Sequence, residues 1–151
     1  MADLKKLLPA SRIISDLENQ EIEEVIQEML DFLITEGAVD AEEKENYLEA
    51  VLEREKQIGT GVGSGVAIPH ARVHGLEKAV AAFARSKSGA KFDTPDNAPV
   101  HFVCLLLVPE NQAGLHLQTL AALAKLLSRC EVRERLMVAS SAEEISVILA
   151  D

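Results

Sequence analysis

The stretch VHFVCLLLVP, Val100 to Pro109, decides how the rest of this chain must fold. Its apolar residues run on without alternating with polar ones, so it reads as a buried central strand. Upstream, GVAIP (65–69) and AVAAFARS (79–86) read as two further strands, and RIISDL (12–17) as a short extended segment. Between the second and third strands, GAKFDTPDNAP (89–99) is rich in turn residues and predicts a loop.

Both flanks of this strand block read as helix. In ENQEIEEVIQEMLDFLITEG, Ile22, Val25, Met29 and Phe32 recur at three- and four-residue steps, and Gly37 ends the pattern. Asp40 with Glu43 predicts a capping-box start for a second helix, which turns Tyr47, Leu48, Val51 and Leu52 to the core and ends near Glu55. After the strands, LHLQTLAALAKLLSR spaces Leu120, Leu123 and Leu127 along one face. VRERLMVA follows as a short helix, and Ser141 with Glu144 caps AEEISVILA. Helices, strands and helices in that order imply an α/β class with helices packed on a sheet. No repeat, low-complexity tract or linker interrupts the 151 residues, so one domain over residues 1–151 is expected.

Composition narrows the function. Apolar residues make up 48% of the chain but aromatic ones only 3%, so the core is aliphatic. With 25 acidic against 15 basic side chains, the net charge of −10 argues against nucleic acid or an anionic membrane as partner. Neither Cys104 nor Cys130 belongs to a CxxC pair. The N-terminal residues lack a signal-peptide core and no apolar run is long enough to span a bilayer, so a soluble, cytoplasmic protein is expected.

The chemistry concentrates in GTGVGSGVAIPHARVHG, Gly59 to Gly75. A phosphate-cradling P-loop needs a Lys-Ser/Thr pair opening a helix, and Pro69 opposes a helix here. The glycines instead suit a tight turn or a close backbone approach before a strand. His70 and His74 have the spacing of a helical metal pair, but no Glu, Cys or carboxylate cluster completes a ligand set, so no metal and no cofactor are expected. There remains display of one imidazole. Pro69 fixes its own φ and extends Ile68, which mounts His70 on a stiff segment. A neutral imidazole held in place is a good nucleophile toward phosphorus. Taken alone, a histidine after a proline is more often structural.

Two neighbours add weight. His116 falls in the first turn of the helix beginning near Ala113 or Gly114, and helix starts attract phosphate. Arg54 ends the second helix, where a cation suits the dipole and a guanidinium can also fork onto a phosphate.

At these residues the chain resembles the type-2 (mannitol, fructose and nitrogen-regulatory) enzyme IIA domains of the bacterial phosphoenolpyruvate-dependent phosphotransferase system. The matching blocks are LEREKQIGTGVGSGVAIPHA, FDTPDNAPVHFVCLLLVP and HLQTLAALAKLL, in that order. The resemblance implies a three-layer α/β/α fold with a central mixed β-sheet. It implies that His70 accepts a phosphoryl group from the phosphocarrier HPr, with His116 and Arg54 supporting the phosphate. The chain would then be a phosphotransferase acting as a phosphocarrier, handing the group to a separate enzyme IIB. A nitrogen-regulatory protein whose phosphorylation state controls binding to other proteins is the alternative. A module that keeps the fold for protein contacts alone is a third reading, against which the intact Arg54, His70 and His116 argue. Ala71 follows His70 where many nitrogen-type members carry glycine, which leaves the branch open. His74 and His101 match no catalytic position and are expected to be structural. Val62, Val66 and Val73 are the expected apolar contributors to a docking patch around His70.

Overall fold

The computed structural model describes residues 4–57 and 59–150, without the side chains of residues 113–116. Its centre is strand β6, Val100–Pro109, whose bounds are those read from the sequence. Val103, Leu105 and Leu107 point to one side of it, and Phe102, Cys104, Leu106 and Val108 to the other. The first set packs with helices α2 (Ile22–Thr35) and α3 (Lys44–Gln57). The second packs with α4 (Ala113–Leu127), α5 (Cys130–Val138) and α6 (Ala142–Ala150), and with Leu4 and Leu7 of the short α1 (Leu4–Leu7). A strand buried on both faces requires helices on both, and the fold is accordingly the expected three-layer α/β/α arrangement.

The sheet is mixed. β5 (Val80–Ala90) runs antiparallel to β6 on one side and is joined in parallel by β1 (Ile13–Ile14). On the other side β6 pairs in parallel with β3 (Val66–Ala67) and with β4 (His70–Val73), and β2 (Gly61–Gly63) pairs antiparallel with β3. Two of these strands, β2 and β4, go beyond the sequence reading, which ended the strand at Pro69. β5 also continues through an irregularity to Ala90, into residues read as loop.

Ala67 pairs with Val103 and His70 with Leu106, so the register survives across Pro69 although proline donates no hydrogen bond. At the break the Ile68 N–H turns to the Thr60 carbonyl at 3.1 Å, while the Pro69 carbonyl still accepts from Leu106 at 2.9 Å. The ladder is interrupted without being shifted.

Helix α2 stops as expected: Gly37 adopts φ +77°, its N–H bonds Ile34, and the Ala38 N–H bonds Leu33. This double closure satisfies the last carbonyls. The capping box expected at Asp40 does not form. Asp40 instead precedes a 3-10 turn, Ala41–Glu43, and makes no side-chain cap bond. At α6 the cap does form: Ser141 Oγ accepts the Glu144 N–H at 3.1 Å, although the Glu144 carboxylate reaches back to Ser140.

Arg85, read only as part of a strand, is 2% exposed. Its guanidinium donates to the carbonyls of Ser15, Leu136 and Ala139, stitching β5 to the C-terminal end of α5. A cation there satisfies carbonyls that no helical N–H reaches and opposes the helix dipole.

A cleft around His70 at the sheet edge

The sheet ends in a cleft of about 440 Å³ lined by Ala50, Glu53, Arg54 and Gln57 of α3, His70, Ala71 and Arg72 of β4, and Leu117 of α4. The α3 residues stand at i, i+3, i+4 and i+7, one stripe of the helix. The core-facing stripe carries the buried Tyr47, Leu48 and Val51. Helical periodicity therefore brings Arg54 to the cleft once the apolar face is packed. Strand β4 delivers His70 from the other side. Arg54 and His70, assigned together from the sequence, share this cleft.

His116 lies in the first turn of α4, and its side chain is outside the described residues. The next residue, Leu117, lines the cleft and is 69% exposed, so the start of this helix borders the site.

The mounting of His70 defines its chemistry. Nδ1 lies 2.8 Å from the Ile68 carbonyl oxygen. A carbonyl only accepts, so Nδ1 carries the proton, and in the neutral ring Nε2 keeps its lone pair. Burial has the largest effect on the ring and lowers its pKa below the ordinary 6.5. The bond to the Ile68 carbonyl pulls upward, and the Arg54 cation adds a smaller downward push. The imidazole is therefore neutral at neutral pH, and the lone pair of its unprotonated nitrogen is the nucleophilic position of the ring.

The mount is braced from behind. Glu55 is buried, and its carboxylate accepts the Thr60 backbone N–H, at 3.2 Å for each oxygen, and the Thr60 hydroxyl. The Thr60 carbonyl accepts Ile68 N–H, and the Ile68 carbonyl accepts from His70. One chain of hydrogen bonds thus runs from the end of α3 to the imidazole. Sequence reading missed Glu55. The available signal was an acid in the last turn of a helix, where the dipole disfavours it unless it has a task.

The glycines serve as expected, for turn and close approach. The β2–β3 hairpin turns through Gly63, Ser64 and Gly65, with φ of +88°, +58° and +79°. A Cβ on Gly61 would stand 2.6 Å from the Asp93 carbonyl oxygen and 2.5 Å from Thr94 Cγ2. Asp96 also accepts the Ser64 N–H at 3.0 Å. The DTPD loop therefore grips the hairpin, which explains why those two sequence blocks occur together.

The expected apolar patch needs correcting. Val62 is 56% exposed, but Val66 and Val73 are 1% and 5% exposed and belong to the two cores. They face inward because β3 and β4 pair with the buried β6. Of the exposed large apolar side chains, Leu117 lines the cleft. His101 is structural as expected, its Nδ1 bonding the Ser86 carbonyl at 2.7 Å. His74 stands 3.9 Å from Glu43 and its carbonyl accepts from Tyr47 at 2.8 Å, away from the cleft lining. Among the described residues no helix is long and apolar enough to cross a membrane.

Comparison with known proteins agrees with this architecture. A fructose-specific EIIA component of the phosphotransferase system from Haloferax volcanii is 36% identical over 151 residues, covering 100% of this chain and 97% of its own. A fructose-specific EIIABC component from Bacillus subtilis is also 36% identical, over 97% of this chain, but the match spans only 23% of that longer protein. Among solved structures, the nitrogen regulatory protein IIA-Ntr from Neisseria meningitidis superimposes with a TM-score of 0.88 at 39% identity, covering 98% of this chain and 99% of that one. The complex of enzyme IIA-Mtl with phosphorylated enzyme IIB-Mtl from Escherichia coli gives 0.77 at 27% identity, covering 95% of this chain and 96% of the matched one. The family described as phosphoenolpyruvate-dependent sugar phosphotransferase system, EIIA 2, matches residues 6–151, and this chain belongs to it.

Proposed function

We propose that this protein is a phosphocarrier that takes a phosphoryl group onto Nε2 of His70 from an HPr-type donor and passes it to an enzyme IIB. One observation carries the reading: the His70 ring has its proton engaged at Nδ1 by the Ile68 carbonyl and lines an open cleft together with Arg54. Phosphoryl transfer asks a protein for in-line positioning and charge stabilisation more than for covalent chemistry. The rigid β4 mount supplies the first. Arg54, His116 and the start of α4 supply the second at the equatorial oxygens. Transfer between two phosphohistidines is near isoenergetic, so the step from HPr is reversible. A IIA bound to a phosphorylated IIB is known for the Escherichia coli mannitol protein, which supports a IIB as the acceptor here. The exposed Leu117 gives the cleft an apolar footing for either partner.

A regulatory output is the second reading, favoured by the 39% identity to the Neisseria nitrogen regulatory protein against 27% to the mannitol protein. Both outputs use the same His70 chemistry. Incubation with phosphorylated HPr followed by intact-mass analysis tests the shared step. One acid-labile phosphoryl group is expected on the wild type and none on His70→Ala. Phosphate persisting on that variant overturns the assignment.

A further inference from the structure

Strand β4 presents a second cationic group to the cleft. Its burial alternates, with Ala71 and Val73 packed in the core, so His70 and Arg72 share the other face of the strand. Residues two apart on a strand stand about 7 Å apart at Cα, within reach of an extended arginine side chain. Both side chains line the same cleft. Arg72 is exposed there, and among the described residues no carboxylate lies within 4.0 Å of its guanidinium.

Charge gives this placement a purpose. A phosphoryl group carries about −1.5 to −2 charges at neutral pH. Arg54 brings one cation from the helical side, and Glu53, which also lines the cleft, opposes the anion. In a chain with ten more acidic than basic side chains, a second guanidinium adds to the compensation that Arg54, His116 and the start of α4 give a dianion. A planar fork on the strand itself, two residues from the acceptor, meets the remaining charge.

We propose that Arg72 holds the phosphoryl group carried by His70, donating hydrogen bonds to oxygens that Arg54 does not cover. This rests on the reading of His70 as acceptor. In the transfer, the His70 Nε2 lone pair forms the new N–P bond while the donor's P–N bond breaks and its electron pair leaves with the donor nitrogen. The Nδ1 proton stays on His70, and Arg72 contributes only N–H···O contacts.

The test compares wild type, Arg72→Ala and Arg72→Lys in two measurements. One is the single-turnover rate of phosphate acceptance from phosphorylated HPr. The other is a ³¹P NMR pH titration of the phosphorylated product. Arg72→Ala is expected to accept about two- to fivefold more slowly, the scale of a solvent-exposed ion pair. Its phosphohistidine should also take up a proton at higher pH, because a neighbouring cation has gone. Arg72→Lys should fall between the two in both readouts. A role limited to partner docking would slow acceptance and leave the ³¹P titration unmoved, and that result overturns the proposal. So does an Arg72→Ala protein equal to wild type in both. If wild type takes no phosphate from HPr, the underlying reading of His70 falls, and the inference with it.

Discussion

The protonation of His70 offers a quantitative handle on the site. Its pKa lies below 6.5 because burial outweighs the upward pull of the Ile68 carbonyl, with Arg54 adding to the depression. An unshifted histidine would be about one quarter neutral at pH 6.0, taking its pKa as about 6.5. His70 should exceed that fraction, and its ring resonances, followed by NMR in the unphosphorylated protein, should reach their midpoint below 6.5. The perturbation is Arg54→Gln, which removes one downward influence. The midpoint should then move up, toward the ordinary value, with burial still holding it low. The same change should slow phosphate acceptance at pH 8, where the ring is neutral in both proteins. Loss of a charge-assisted hydrogen bond to the transferring group costs about 1.5–3 kcal/mol, or roughly 10- to 150-fold. The half-exposed cleft favours the lower end of that range. Measuring the ring in the absence of donor keeps HPr's own titration out of the result. A wild-type midpoint above 6.5, or one that falls when Arg54 is removed, would refute the electrostatic account of this cleft.

Two further predictions concern the frame that aims the imidazole. Gly61→Ala puts a methyl 2.6 Å from the Asp93 carbonyl oxygen, and backbone must move to admit it. Urea unfolding should show a loss of about 1–3 kcal/mol, the usual cost of overpacking. A variant as stable as wild type would mean that the hairpin is not gripped as described. Arg85→Met should cost about 3 kcal/mol by the same measurement, since it strips hydrogen bonds from buried carbonyls at the end of α5. A neutral or stabilising result there would show that those carbonyls find other partners.

The central strand was legible because two-sided burial leaves a continuous apolar run, and β6 begins and ends where that run does. Helix α2 was legible for a related reason, with its apolar period and Gly37 agreeing on where it stops. His70–Val73 was not read as a strand. It is four residues long, follows a proline, and owes its conformation to the waiting edge of β6, which is a tertiary fact. The same pairing hid Arg72: once HARV is a strand, its second residue after the histidine shares a face with it. The buried strand pairing also turned Val66 and Val73 inward, which their apolar character alone could not reveal. At Asp40 the residue spacing matched a capping box, but a 3-10 turn took the position before the α-helix began. Arg85 and Glu55 were missed because their partners are backbone groups brought together only by the fold. Arg54 and His70 were singled out from residue type and position, and a resemblance gave them their expected roles; packing explains why they meet, since one stripe of α3 and one end of β4 border the same cleft.

The most direct measurement is a two-dimensional ¹H–¹⁵N spectrum of the imidazoles before and after phosphorylation by phosphorylated HPr. The account predicts that His70 begins as the tautomer protonated at Nδ1 and acquires phosphorus at Nε2, with His74 and His101 unmodified. Phosphorus on Nδ1 of His70, or on another imidazole while His70 stays free, would contradict it.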